Sequence, residues 1–79
     1  MSASGRDARV AELRGAFRRL TDREREVCAL VADGLSNAEI AERLVVQSAS
    51  AKRAVTRILA KLGLRDRTQI AVRWCRAGL

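Results

Sequence analysis

The sequence predicts an all-α domain of five helices, and three observations carry that expectation. The 79-residue chain has no proline and is dominated by Ala, Leu, Arg and Glu, all strong helix formers. Three segments, Thr21 to Glu24, Ser36 to Glu39 and Asp66 to Gln69, have the form of capping boxes that open helices. Between these starts the apolar residues recur at spacings of three and four, the period of a helix buried on one side. The length allows one small domain, and 48% hydrophobic with 32% charged residues is the balance of a folded domain rather than a disordered tail.

The elements follow in order. Residues 1–5 (MSASG) are small and polar and are expected to be a disordered start. From Arg6, the residues Val10, Leu13, Phe17 and Leu20 fall on one helical stripe, which Gly15 weakens by roughly 1 kcal/mol relative to alanine. The stripe suits core closure or a linker or dimerisation helix; core closure is favoured because so short a chain needs every apolar face. Thr21 with Glu24 opens the next helix, whose buried face is Val27, Leu30 and Val31 and whose end suits Gly34 in a left-handed cap. Ser36 with Glu39 opens a short helix with Ile40, Ala41 and Leu44 inward, and residues 44–47 make a tight apolar connection. A helix over 48–62 follows, with Val55, Ile58, Leu59 and Leu62 on one stripe, a cap expected at Ser48 and Gly63 as terminator. Asp66 with Gln69 then opens the last helix, carrying Ile70, Ala71, Trp74 and Cys75 towards Gly78 and Leu79.

Composition removes several function classes. The longest uncharged stretch, Leu44 to Ala51, is eight residues, too short to span a bilayer, and the N-terminus lacks the apolar core of a secretory signal, so a cytoplasmic protein is expected. Cys28 and Cys75 form no CxxC and no histidine is present, so no metal site and no cofactor are expected, and both thiols are read as small packed side chains. An enzyme is not expected: no histidine can act as base, no glycine-rich phosphate loop appears, and carboxylates such as Glu24 and Glu26 are accounted for by capping and surface pairing.

The net charge of +7 is distributed one-sidedly. Residues 1–35 hold seven arginines and six acids, whereas residues 36–79 hold nine basic residues against three acids. Segregation of that kind points to a polyanionic partner, with nucleic acid first. Two helices joined by a short turn, the second of them basic, have the outline of a helix-turn-helix. With the apolar stripe of 48–62 buried, its opposite surface carries Lys52, Arg53, Thr56, Arg57 and Lys61, and Arg65 and Arg67 extend it past Gly63. Such a helix fits the major groove, where arginine or lysine donates to guanine and also neutralises phosphates. Ser36, Asn37 and Ser48 sit at helix starts, where hydroxyls and free amides receive a phosphate oxygen, although for the two serines capping alone is a sufficient role.

Residues 20–27 (LTDREREV), 34–44 (GLSNAEIAERL) and 58–69 (ILAKLGLRDRTQ) resemble, in this order and spacing, the helix-turn-helix domain of LuxR/FixJ-type (NarL-like) regulators. The resemblance covers residues 20–79, leaving 1–19 as the start and a linker or packing helix. It implies a tetrahelical helix-turn-helix domain preceded here by an extra N-terminal amphipathic helix, acting as a transcriptional regulator or its output domain on double-stranded DNA. Carried over by position, base contacts fall on Lys52, Arg53 and Thr56. Phosphate contacts fall on Ser36, Asn37, Ser48, Ser50, Arg57, Lys61 and Arg67, with Arg65 beside them. The family's last helix commonly supports dimerisation, which makes Ile70, Trp74 and Leu79 candidates for a homodimer interface; closure of the core is the other role open to them.

Members of the family usually carry Ser at position 47, Thr-Val-Lys at 50–52 and a His or Tyr at 54. This chain has Gln47, Ser50-Ala51-Lys52 and Ala54 there. Ala51 removes buried methyl groups at a cost of roughly 1 kcal/mol, Ala54 lacks the ring, and Arg53 adds a charge at a variable position. These departures imply either altered specificity or a weakened DNA face. The second function class is accordingly a protein-interaction module on the same fold, using the Val10 to Leu20 stripe or the Trp74 helix against a partner such as an RNA polymerase subunit or a sensor domain.

Overall fold

The backbone from residue 2 to residue 79, with side chains from Arg9 onward, is described by a computed structural model; Met1 lies outside the described residues. Five helices follow one another with no strand among the described residues: α1 (Ser2–Arg18), α2 (Asp22–Ala32), α3 (Asn37–Leu44), α4 (Ser48–Leu62) and α5 (Arg67–Arg76). α1 begins at Ser2, ahead of Arg6 where the apolar pattern starts. Alanine and serine add turns to a helix whose C-terminal half is already packed.

Two capping boxes form in full. Thr21 Oγ1 accepts from the Glu24 amide at 3.1 Å while Glu24 Oε1 accepts from the Thr21 amide at 2.8 Å, and Ser36 and Glu39 repeat this at 3.2 and 2.9 Å. The third forms by half. Asp66 Oδ1 accepts from the Gln69 amide at 3.1 Å, but Gln69 Oε1 takes the amide of Arg65 rather than that of Asp66. At α4 the expected cap is displaced by one residue: Gln47 is the extended N-cap with no side-chain bond, and Ser48 is already helical. Gly34 and Gly63 follow α2 and α4 in left-handed conformation (φ 86° and 67°), as their lack of Cβ permits. α3 ends on Val45, also left-handed at φ 57° and ψ 51°, with its side chain 89% exposed. Retaining a β-branched residue there costs about 1–2 kcal/mol and sets the bend into α4.

Two layers make the core. α2 packs against α5, α3 against α4, and Phe17, Leu20, Val27, Cys28, Ile40, Val55, Ile58 and Ile70 fill the space between. Leu44, Leu59 and Leu62, expected inward, are half-buried at the rim of this cluster. The Val10 to Leu20 stripe divides: Phe17 and Leu20 are core, whereas Val10 and Leu13 are half-buried.

α1 is joined to the rest by specific contacts. Phe17 meets Trp74 of α5 edge-on, ring centroids 4.9 Å apart at 81°, a favoured aromatic geometry. Arg14 Nε donates to the Ala77 carbonyl at 2.6 Å. Arg25 Nη1 donates to the carbonyls of Leu20 (2.7 Å), Arg18 (3.2 Å) and Phe17 (3.4 Å), gathering the carbonyls at and just beyond the end of α1. The same guanidinium pairs with Asp22.

The two cysteines part company. Cys28 is fully buried and burial, aided by the Glu24 charge, pushes its thiol up to about 12. Cys75 is exposed, against the expectation that both pack inside. It stands roughly 140° around α5 from the buried Ile70, at about 100° per residue, so it faces away from α2. A maleimide at neutral pH is therefore expected to modify one thiol of the folded chain, at Cys75, and the second only in denaturant. Two rapidly reacting thiols in the folded protein would contradict this packing.

Candidate nucleic-acid interface

The geometry of the candidate interface begins with what α4 buries. Ala51, Val55 and Ile58 are 2%, 6% and 0% exposed. Stepping about 100° per residue puts Arg53 opposite them, flanked by Thr56 and Arg57, with Lys52 towards one edge; all four are exposed. Ala49 and Ala60 share this outer face and are exposed, so short side chains separate the long basic ones. The Thr56 hydroxyl donates to the Lys52 carbonyl at 3.0 Å, which holds the Thr56 rotamer. Ala54 is half-buried against the core, and Ala51 sits inside it as a small residue.

The start of α4 lies open. The Ser50 and Ala51 amides already donate to the Gln47 carbonyl, at 2.9 and 3.1 Å, and no side chain caps the helix. Among the described residues the Ser48 and Ser50 hydroxyls make no hydrogen bond to protein, and both residues are exposed. Capping is thus not the role of Ser48. Ser36 does cap: its hydroxyl and amide are both engaged with Glu39, whose carboxyl is held below the ordinary range chiefly by the Ser36 amide.

Other candidates are tied to the protein itself. Lys61 Nζ lies 2.9 Å from both carboxylate oxygens of Glu24, which is 6% exposed. That carboxyl is held below its ordinary range first by the Thr21 amide and next by Lys61. Arg67 is half-buried; its Nη1 donates to Asn37 Oδ1 at 2.7 Å and its Nη2 to the Leu35 carbonyl at 2.6 Å, joining α5 to the start of α3. Arg65 is exposed. The three residues weighed for an interface between copies separate as well. Ile70 is fully buried within this chain, Trp74 is half-buried against Phe17, and Leu79, three residues past the end of α5, is 53% exposed. Ile70 therefore presents no surface to a second copy.

Sequence reasoning missed four structural cations: Arg14 on Ala77, Arg25 on the end of α1, Arg67 on Asn37 and Leu35, and Lys61 on Glu24. A hint existed only for the last, since Glu24 is the third residue of a capping box and therefore has a fixed direction. Among the described residues no group of three or more His, Cys, Asp or Glu could hold a metal ion, and no helix is long and apolar enough to cross a membrane.

Comparison with known proteins adds an independent line. Residues 18–74 match the profile of a family described as bacterial regulatory proteins, luxR family. The chain is 44% identical to the DNA-binding transcriptional activator DevR/DosR of Mycobacterium tuberculosis, with 82% of this chain aligned to 33% of that protein. It is 47% identical to the transcriptional regulatory proteins LnrK and LiaR of Bacillus subtilis, with 76% and 67% of this chain aligned to 27% and 25% of theirs. The chain thus spans about a third or less of the length of these curated relatives.

Proposed function

Because this chain belongs to the luxR family of bacterial regulatory proteins, we propose that it binds double-stranded DNA with α4 in the major groove and serves as the DNA-reading part of a transcriptional regulator. The observation that carries the reading is the outer face of α4: Lys52, Arg53, Thr56 and Arg57 are exposed together, across the helix from the buried Ala51, Val55 and Ile58. A rigid helix with donors on one side satisfies the width and chemistry of the groove. Lys52, Arg53 and Thr56 are assigned to base edges, and Arg57, Ser48, Ser50 and the open amides of α4 to phosphates. Ser36, Asn37 and Arg65 complete the phosphate set. Lys61, already paired with Glu24, supports the helix and adds its charge to the field. Pairing of two copies, which doubles the length of DNA read, is assigned to the exposed residues Val72 and Leu79 of the C-terminal segment.

Titration onto labelled duplex, random pool against enriched sequence, at two salt concentrations, tests this. Selective binding is expected, with log K falling linearly in log salt at a slope set by several phosphate contacts. Arg53→Ala and Arg57→Ala are each expected to weaken binding about tenfold without moving the melting temperature, while Arg9→Ala, at an exposed position midway along α1, leaves binding unchanged. Equal damage from Arg9→Ala would show that α4 is not the reader. Weak binding without enrichment would move the function to a protein partner.

A further inference from the structure

Arginine has five donors and no acceptor, so any amide side chain it bonds must turn its oxygen towards the guanidinium. Arg67 imposes that orientation on Asn37. Its Nη1 is 2.7 Å from Asn37 Oδ1, while its Nη2 is anchored 2.6 Å from the Leu35 carbonyl, two residues earlier. The fork spans both acceptors at once, so the guanidinium plane is fixed and Asn37 Oδ1 is committed. The Asn37 Nδ2 donors consequently point away from Arg67. Among the described residues they bond nothing, and none of the buried side-chain polar atoms is left unsatisfied, which places Nδ2 in contact with solvent. Nearby, the Ser36 side chain and the Glu39 amide are mutually engaged, which leaves the Asn37 and Ala38 amides as the free donors of the first turn of α3.

The geometry points to Arg67 as a positioning residue for DNA binding: it acts through Asn37, whose Nδ2 it presents to a DNA phosphate, rather than on the phosphate itself. The inference rests on the DNA-binding reading above and takes Arg67 out of the phosphate contacts that the family resemblance implies. A guanidinium folded back on two protein acceptors keeps three of its five donors but cannot swing towards the DNA without releasing the fork, whereas a fixed amide meets a phosphate oxygen with little further loss of rotamer freedom.

A double-mutant cycle on the 79-residue chain tests it, with enriched duplex as the probe at two salt concentrations. Lysine keeps the charge of Arg67 but has no fork to span Asn37 and Leu35. N37A and R67K are therefore each expected to weaken binding about fivefold, and R67K/N37A is expected to be weaker than either single variant by no more than about twofold. The salt slope stays at the wild-type value, because no phosphate-bound cation has been removed. In the free protein, the ¹⁵N-resolved side-chain amide signals of Asn37 are expected to shift in R67K, a readout that needs no DNA. Full affinity in R67K, with loss in R67A together with about one unit of salt slope, would show direct phosphate contact and overturn the proposal. Additive losses in the double variant, an unaffected N37A, or unshifted Asn37 amide signals would overturn it too. R67A loses the tie to the loop and serves only where circular dichroism shows it folded; R67K and N37A decide the matter without it. If wild-type protein binds no duplex at either salt, the DNA reading falls and this role with it. Binding by wild type combined with any of the contrary results removes this role alone.

Discussion

Phe17→Ala is expected to lower the free energy of unfolding by about 3–5 kcal/mol, read from the denaturant midpoint at unchanged slope. Phe17 is 2% exposed, lies edge-on to Trp74 and belongs to the continuous core cluster. Removing its ring leaves a cavity between α1 and α5 that neither helix can collapse into while Arg14 holds the Ala77 carbonyl. For a domain this size, whose total stability is of the order of 5–10 kcal/mol, that loss is a large fraction of the whole, and Phe17→Ser loses more. Trp74 is the sole tryptophan, so its emission reports the same transition directly. A Phe17 variant that kept its midpoint but lost association with another protein would overturn this and make α1 an interaction helix. The same reasoning applies to Trp74: the pair is expected to show a coupling of about 0.5–1.5 kcal/mol beyond additivity in a double-mutant cycle.

Glu24→Ala is expected to cost about 2–3 kcal/mol, the sum of a lost helix cap and a charge-assisted hydrogen bond, and to lower the melting temperature by roughly 10–20 °C. Glu24 joins three elements in one carboxylate: it closes the capping box with Thr21, opens the first turn of α2, and receives Lys61 from α4. Lys61→Ala is expected to cost less, about 1 kcal/mol, since its side chain is 44% exposed and screened while the Thr21 bond persists. The carboxyl is held below its ordinary value of 4.5 in the fold. Its contribution is thus complete above that value and is lost as the pH falls through the lower, folded one. Glu24→Gln keeps an acceptor for the Thr21 amide but removes the charge. Its stability is expected to vary less than the wild type's as the pH falls below 4.5. Parallel curves for the two proteins would show that Glu24 does not carry this acid sensitivity.

Helix starts were legible in the sequence because capping is local. Thr21 with Glu24 and Ser36 with Glu39 need only a turn of backbone to find one another, and both boxes formed as read. The glycines ending α2 and α4 are legible for the same reason, since positive φ is a property of one residue. Asp66 with Gln69 formed by half because a glutamine side chain has two amides within reach and took that of Arg65. Gln47 displaced Ser48 from the cap because extended backbone at 47, following the left-handed turn at Val45, sets where the helix begins.

The basic face was legible in part. Periodicity placed Lys52, Arg53, Thr56 and Arg57 opposite the buried stripe, and they are exposed there. It placed Lys61 on the same surface, and Arg67 was read as extending that surface past Gly63, because a charged residue near a helix end looks alike whether it faces solvent or a distant acceptor. Their partners, Glu24 and Asn37, lie 37 and 30 positions away, beyond any local pattern.

By itself the sequence determined what depends on neighbours along the chain: five helices, the starts and stops of all but the first, the centre of the stripe each buries, and a motif order specific enough to place the chain in its family. Only the tertiary structure decided which cations are free and which are spent on the fold, that Cys75 and not Cys28 is open to solvent, and that α1 closes the core through Phe17 and Trp74. The physical reason is range. Helical hydrogen bonds and caps act within four residues, whereas a carboxylate, a carbonyl or an aromatic edge selects its partner only once packing has brought distant segments within a few ångströms.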